Sequence, residues 1–541
     1  MGGQSTGRRR RTSGRRWTRA TGATAAAAMV LTLVGLPADA ATTISEYGTP
    51  TSNSVPAGIT LGPGGNMWYT ECANQAVGYI TPGSPPTFSN EFQVGGCPVS
   101  ITSGPDGNLW FTDSGFDDVA YVGRITTAGV VTRFPLPSGV VFPTEDGNGV
   151  DEITAGSDGN IWFAAYGNGA VGTATAYAGQ ITPSGTMHLF TIEENADAFA
   201  IAAGPDGNLW VTTSDGLAQV TTSGSATLFP GDEGVGRGIT AWDGELWLAN
   251  GSSVKRIATN GTGGDVSLPS GTAAYGGVAP GSCTNTLWYA GGDAAGGFTS
   301  VNNYIGTISN LFVVTPLNTP TANSDPLSVA TGTGGSVWYT ESSQSVSQLA
   351  QVVDKQGLIA CVPLLPGGIL VHPTVNGRLG GSVGWQMLAP GTHGIADASG
   401  MNLYGYTDAG GPTPLPIGSS MTFAFDWSGV YPYDDPFKPA TKGKVNVPVL
   451  VTKVSRTTNQ AKVTWASQAP PSGFGVDVEI QSPGSTDWGT WQSGVSSQDA
   501  VFGPSDPLWA GTGTYKFRAR LRQLTTNDAA GFSAAKSIAL H

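Results

Sequence analysis

With 541 residues the chain is too long for one ordinary core, so two or three domains are expected. Only 12% of its residues are charged, 80 are glycine and 36 proline, and no long helical period runs through it; this excludes a helical bundle and a disordered polymer and indicates an all-β protein. The formal net charge of −13 makes nucleic acid and anionic lipid poor partners.

The first forty residues read as an export signal. Arg8 to Arg11, Arg15, Arg16 and Arg19 form a basic head, an apolar run follows from about Ala23 to Leu36, and Ala38-Asp39-Ala40 is a small-x-small cleavage site. Its removal takes away seven arginines and one aspartate and moves the net charge from −13 to −19. Arg15-Arg16-Trp17 is compatible with a twin-arginine route as well as the ordinary secretory one, and no other stretch is long and apolar enough to span a membrane. The expected product is an extracellular monomer beginning near Ala41. Its four cysteines are an even number in an oxidising compartment, so disulfides are expected.

Ser100 to Asp113 reads as a hairpin: a short strand to Ser103, a Pro105-Asp106-Gly107-Asn108 turn, and a second strand from Leu109. Copies recur around Trp68, Trp110, Trp162, Trp210, Trp247, Trp288 and Trp338, at spacings of roughly 37 to 52 residues. Such spacing is that of β-propeller blades, which hide their apolar faces only by stacking on each other, so seven blades are expected. Each repeat continues into a third strand, such as Val122 to Ile125, and an outer strand, such as Val131 to Phe134. Two stretches compete for the outer place that closes the ring, Ile44 to Gly48 and Gly357 to Pro363. Cys72 directly follows one Trp strand and Cys97 directly precedes the next inner strand, which puts both on one face between adjacent blades and predicts a bond between them; Cys283 and Cys361 remain open.

The run Gly-Pro-Asp-Gly-Asn-Leu-Trp-Phe-Thr-Asp at Gly104 to Asp113, followed by Val122-Gly123-Arg124-Ile125-Thr126 and Phe134-Pro135-Leu136-Pro137, resembles the streptogramin B (virginiamycin B) lyases and their propeller relatives over about residues 43–365. The resemblance implies a magnesium-assisted elimination that opens a cyclic depsipeptide at its ester, with histidines on axis-facing loops as acid and base. The positions matching those histidines carry Ala57, Val99, Asp151, Phe199, Arg237, Gly276 and Leu327. The only propeller histidine, His188, falls on an outer strand. Carboxylates end three Trp strands, at Glu71, Asp113 and Glu341, on blades that become neighbours once the ring closes. These three are the candidate ligands for a divalent cation such as magnesium, and with Asp151 and Arg237 they form the candidate ligand-binding set. Two functions stay open: binding of a small molecule, peptide or cell-surface polymer at the axis-facing end, or metal-assisted chemistry there by a lyase or another enzyme acting on a cyclic peptide or a carbohydrate.

From Pro366 to about Pro448 the pattern changes. Ser382-Val383-Gly384-Trp385, His393-Gly394-Ile395-Ala396-Asp397 and Gly429-Val430-Tyr431-Pro432-Tyr433 resemble a cupredoxin, with His393 in a ligand position but Asp435, Lys438 and Thr441 where cysteine, the second histidine and methionine are expected. No copper is expected without the thiolate. Residues 449–541, with Lys462-Val463-Thr464-Trp465 and Tyr515-Lys516-Phe517-Arg518-Ala519-Arg520, resemble a fibronectin type III domain, a spacer or binding accessory. The expected fold is therefore all-β: a seven-bladed propeller and two C-terminal β-sandwiches.

Overall fold

The computed structural model describes residues 42–541 apart from 116–118, 144–151, 168–173, 232–237, 294–302, 344–345, 354–357, 405–406, 409–410, 413 and 456–457. Thr42–His541 forms one compact unit. Its first part is seven antiparallel sheets, the blades, each running from an inner strand through a Trp strand and a third strand to an outer strand. In blade 2 these are Pro98–Ser103, Leu109–Asp113, Tyr121–Ile125 and Val131–Pro135. Blade 7 is completed by Thr43–Gly48, which pairs with Gln348–Val353 and joins the two ends of the ring. The competing strand, Leu358–Leu365, lies instead in the next sheet, parallel to Gly381–Met387.

Why this sequence repeats as it does is visible around the tryptophans, whose side chains are essentially inaccessible in all seven blades. In the Asp-Gly turn, Asp106 accepts from the backbone N–H of Asn108 and from Trp110 Nε1, at 3.2 and 3.1 Å, and Asp158 and Asp206 do the same for Trp162 and Trp210. One carboxylate thus fixes the turn and satisfies the indole that the blade must bury. Gly104 is required beside it, because a Cβ there would meet the Trp110 ring at 2.5 Å. On its other side each indole is covered by an outer-strand aromatic, with Phe134 on Trp110, Phe190 on Trp162, Phe229 on Trp210 and Tyr47 on Trp338.

The remaining residues form two β-sandwiches. The first has one sheet of Ile369–Leu370, Leu358–Leu365, Gly381–Met387 and Ser420–Phe425, and a second of Thr374–Asn376, Lys438–Val447, Gly429–Asp435 and Ala396–Asp397. The second pairs Leu450–Lys453, Ala461–Thr464 and Asp499–Phe502 against Gly489–Val495, Phe474–Gln481, Gly513–Gln523 and Lys536–Leu540. One continuous apolar core runs through both, from Trp385 to Trp465 and Phe517.

The first sandwich sits on the turn side of the propeller. His372 packs on Gly65 of blade 1, Gly367 on Pro105 of blade 2, Gly391 on Ser157 of blade 3 and Gly418 on the Ala241 carbonyl of blade 5. Cys361 is disulfide-bonded to Cys283 of blade 6, with Cα atoms 5.7 Å apart. A cavity of about 180 Å³ on the propeller axis is walled by the inner strands and roofed by Leu365, Pro366, Leu388, Pro390 and Ile417 of this sandwich. Among the described residues no helix is long and apolar enough to cross a membrane.

Candidate functional site

The face opposite the sandwich is built by the starts of the inner strands and the ends of the Trp strands. The inner strands of blades 1, 2, 4 and 7 begin with a bulge: register shifts between Pro56 and Ile59, Pro98 and Ile101, Ala198 and Ile201, and Pro326 and Val329. A bulge leaves one backbone N–H out of the ladder. The penultimate threonine of the Trp strand takes it up: Gly58 N–H donates to Thr70 Oγ1 at 2.8 Å, Ser100 to Thr112, Ala200 to Thr212 and Ser328 to Thr340. The same hydroxyl then donates to the neighbouring blade, Thr70 to the Val99 carbonyl at 2.6 Å and Thr340 to the Ala57 carbonyl at 2.8 Å. The Thr-Glu and Thr-Asp ends of the Trp strands are therefore inter-blade staples.

The carboxylate that follows Thr70, Thr112 and Thr340 points into its own blade. Glu71, Asp113 and Glu341 are all inaccessible to solvent. Asp113 is ion-paired with Arg133 at 2.9 Å and accepts from Gly115 N–H; burial still pushes its carboxyl up, against the pull of Gly115 and Arg133. Glu71 accepts from Asn74 at 3.1 Å and lies beside Glu91. Burial drives it up to about 7, and Glu91 adds to the rise while Ser54 and Asn74 oppose it. Glu341 accepts from Gln348 and is likewise driven up to about 7 by burial, with Glu46 adding to the rise. Oε1 of both Glu71 and Glu341 is buried without a hydrogen-bond partner of good geometry.

The three carboxylates thus occupy three blades rather than one cluster, and among the described residues no group of three or more His, Cys, Asp or Glu could hold a metal ion. As placed they do not fit a shared magnesium ion. Asp151 and Arg237 lie outside the described residues. Of the other histidine-equivalent positions, Ala57, Val99 and Leu327 meet in one buried apolar cluster at the axis. His188 is exposed on the outer strand Met187–Glu194, against Phe190.

One residue on this face was not foreseen. Glu152 is buried at the position of Gly58 and Ser100, and its Oε2 accepts from Thr112 in place of a neighbouring carbonyl. The sequence signal is a carboxylate where the other repeats carry a small residue. Cys72 and Cys97 are disulfide-bonded beside the same face, with Cα atoms 4.2 Å apart. In the first sandwich, His393 Nδ1 meets Asp435 Oδ2 at 2.6 Å, both buried, as an imidazole–carboxylate pair.

A ring of seven sheets of four or five strands carrying β-sandwiches beyond it defines an all-β propeller protein. The virginiamycin B lyase family matches residues 37–178 and 141–358, more than half of the chain, and the chain belongs to that family. Among solved structures it is similar to a streptogramin B lyase, 22% identical over 57% of this chain and 97% of that one, with a TM-score of 0.47. It is also similar to virginiamycin B lyase from Staphylococcus aureus, 21% identical over 58% and 99% with a TM-score of 0.46. A catalytically inactive variant of that enzyme with quinupristin gives 21%, 58%, 99% and 0.47. Nothing among the curated proteins matches.

Proposed function

We propose that the protein is an exported, ligand-binding member of its family that takes a small molecule, peptide or cell-surface polymer on the axis-facing end of the propeller without opening it. The observation that carries this reading is the Ala57, Val99 and Leu327 cluster. Where the family resemblance implies imidazoles able to move a proton, this chain packs three buried aliphatic side chains against each other, which supplies no base at those positions. The neighbouring carboxylates do not replace the imidazoles, because Glu71, Asp113 and Glu341 are buried in their own blades. Export through residues 1–40 agrees with two disulfides in the folded chain. On this reading the first sandwich is a cupredoxin-like scaffold whose copper position is filled by the His393–Asp435 pair, and the second is a fibronectin type III-like accessory.

The test is incubation of the purified protein with a type B streptogramin and magnesium, followed by mass spectrometry of the antibiotic. The cyclic species is expected to persist. Accumulation of the linear product would overturn the reading in favour of a metal-assisted lyase.

A further inference from the structure

Two loops on the candidate ligand face are near-copies. Thr49-Pro50-Thr51-Ser52-Asn53-Ser54 leads into blade 1 and Thr319-Pro320-Thr321-Ala322-Asn323-Ser324 leads into blade 7, one on each side of the seam where the ring closes. Both carry left-handed residues without being glycine, Asn53 and Val55 in the first and Asn323 and Asp325 in the second. Neither segment would hold this shape unaided, least of all at β-branched Val55.

What holds them is a carboxylate from an outer strand. Glu91 accepts from Thr51 N–H at 3.1 Å and from Thr51 Oγ1 at 2.6 Å. Glu46, on the closing strand, accepts from Thr321 N–H at 2.9 Å and from Thr321 Oγ1 at 2.7 Å. Both stand immediately before the aromatic that covers the blade tryptophan, Phe92 and Tyr47, which is where blade 2 carries Arg133 before Phe134. In blade 2 that side chain faces Asp113 as a cation. In blades 1 and 7 it faces Glu71 and Glu341 as a second carboxylate.

Burial first, and a like charge beside it second, make ionising Glu71 and Glu341 costly, so each of these two buried carboxyls holds on to a proton that an opposite charge would release. Asn74 bridges the first pair, donating to Glu71 Oε2 and to Glu91 Oε2, and Gln348 donates to Glu341. The charged groups acting on Glu71 and Glu341 are Glu91 and Glu46, both negative. The phenols of Tyr69 and Tyr339 lie alongside and are themselves pushed far up by burial, so neither exchanges a proton near neutrality. Asp325, next in the chain to Ser324, turns to Asn303.

We infer that the closure seam is an acid-stabilised latch, in which a proton held on Glu71 beside the Glu91 clamp, and one on Glu341 on the blade of the Glu46 clamp, keeps the 49–54 and 319–324 loops held and is released as the medium becomes alkaline. The latch regulates the shape of the face on which the proposed ligand reading rests, since the clamped loops run directly into Pro56-Ala57 and Pro326-Leu327.

Amide hydrogen exchange on the intact protein reads the latch without any ligand, so its failure and that of the binding reading are separable. Protection factors at Thr51 and Thr321, corrected for intrinsic exchange at each pH, are expected to fall by about tenfold or more between pH 5.5 and 8.5, the change that one unit of pKa displacement supports. Glu71→Gln, which imitates the protonated acid, should flatten the profile at Thr51 and leave that at Thr321 unchanged; Glu341→Gln should do the reverse. Glu91→Gln gives up one of the two acceptors that hold Thr51 and should lower its protection at every pH, while the separate Glu341→Gln profile keeps the idea testable if Glu71→Gln does not fold. Wild-type protection that stays level across this range, or that falls equally in the Gln variants, would overturn the latch.

Discussion

A threonine hydroxyl at the end of a Trp strand has two obligations, to the N–H left out by the bulge and to a carbonyl of the next blade, and both partners are buried. Thr70→Val keeps the shape but leaves Gly58 N–H and the Val99 carbonyl unpaired, so a loss of about 1–3 kcal/mol is expected, read as a lower urea midpoint at unchanged slope. The buried carboxyls set a pH dependence of the whole fold as well. Because Glu71 and Glu341 are raised to about 7 in the folded chain, the native state binds more protons than the unfolded one between the ordinary glutamate range and neutrality. Their contribution is fully present below about pH 4.3, the ordinary glutamate value, and fades as the pH climbs through 7. The thermal midpoint should therefore be higher at pH 5.5 than at pH 8, and the Glu71→Gln/Glu341→Gln double variant should show a smaller difference. The positions of Glu71, Asp113 and Glu341 were legible in the sequence because they end a repeated strand. Their surroundings were not, because the deciding partner is on the outer strand of the same blade, and for Glu341 that strand comes from the opposite end of the chain.

The blade is the element the sequence describes best. Its turn, its indole and its outer aromatic recur with little change, and each has a local physical reason to do so. Blade 5 shows what happens when one part is missing. Its outer strand Gly263–Ser267 carries no aromatic, and Trp247 is covered instead by Phe312, which comes from the outer turn of blade 6 and lies in a left-handed conformation. The corresponding turns elsewhere use glycine, such as Gly261 over Phe229, where a Cβ would come within 2.3 Å of the ring. Phe312→Ala should uncover Trp247 while retaining the unfavourable φ, at a cost of about 1–2 kcal/mol, with a red shift of tryptophan emission as the check. Leu358–Leu365 was ambiguous for a related reason. It is a nearly unbroken apolar run, the pattern of a strand with a parallel neighbour and both faces covered, and nothing local says which sheet supplies that neighbour.

At the scale of the molecule, the propeller and the first sandwich are joined by the Cys283–Cys361 bond and by the seating of Gln386, whose side-chain oxygen accepts from Cys283 N–H at 2.9 Å. That loop spans 78 residues, for which a chain-entropy estimate is about 4.5 kcal/mol, so the Cys283→Ala/Cys361→Ala variant should fold but unfold at distinctly lower denaturant, about 2–4.5 kcal/mol less stable. If its midpoint matched that of the wild type, the noncovalent seat alone would suffice to fasten the sandwich. The sequence placed the Cys72–Cys97 bond, which lies between consecutive elements of one repeat pattern. It could not place Cys283–Cys361, because that depends on where an entire sandwich docks.

The ring is completed by its first strand, Thr43–Gly48, against a strand that ends at Val353. On a ribosome adding roughly 5–20 residues each second, the three hundred or so residues between these partners take about 15–60 s to make. Throughout that interval the segment carrying Ile44 and Tyr47 has no partner strand to pair with, because Gln348–Val353 has not yet been made. Whatever escorts the unfinished chain has to shield that short segment first, and release it last.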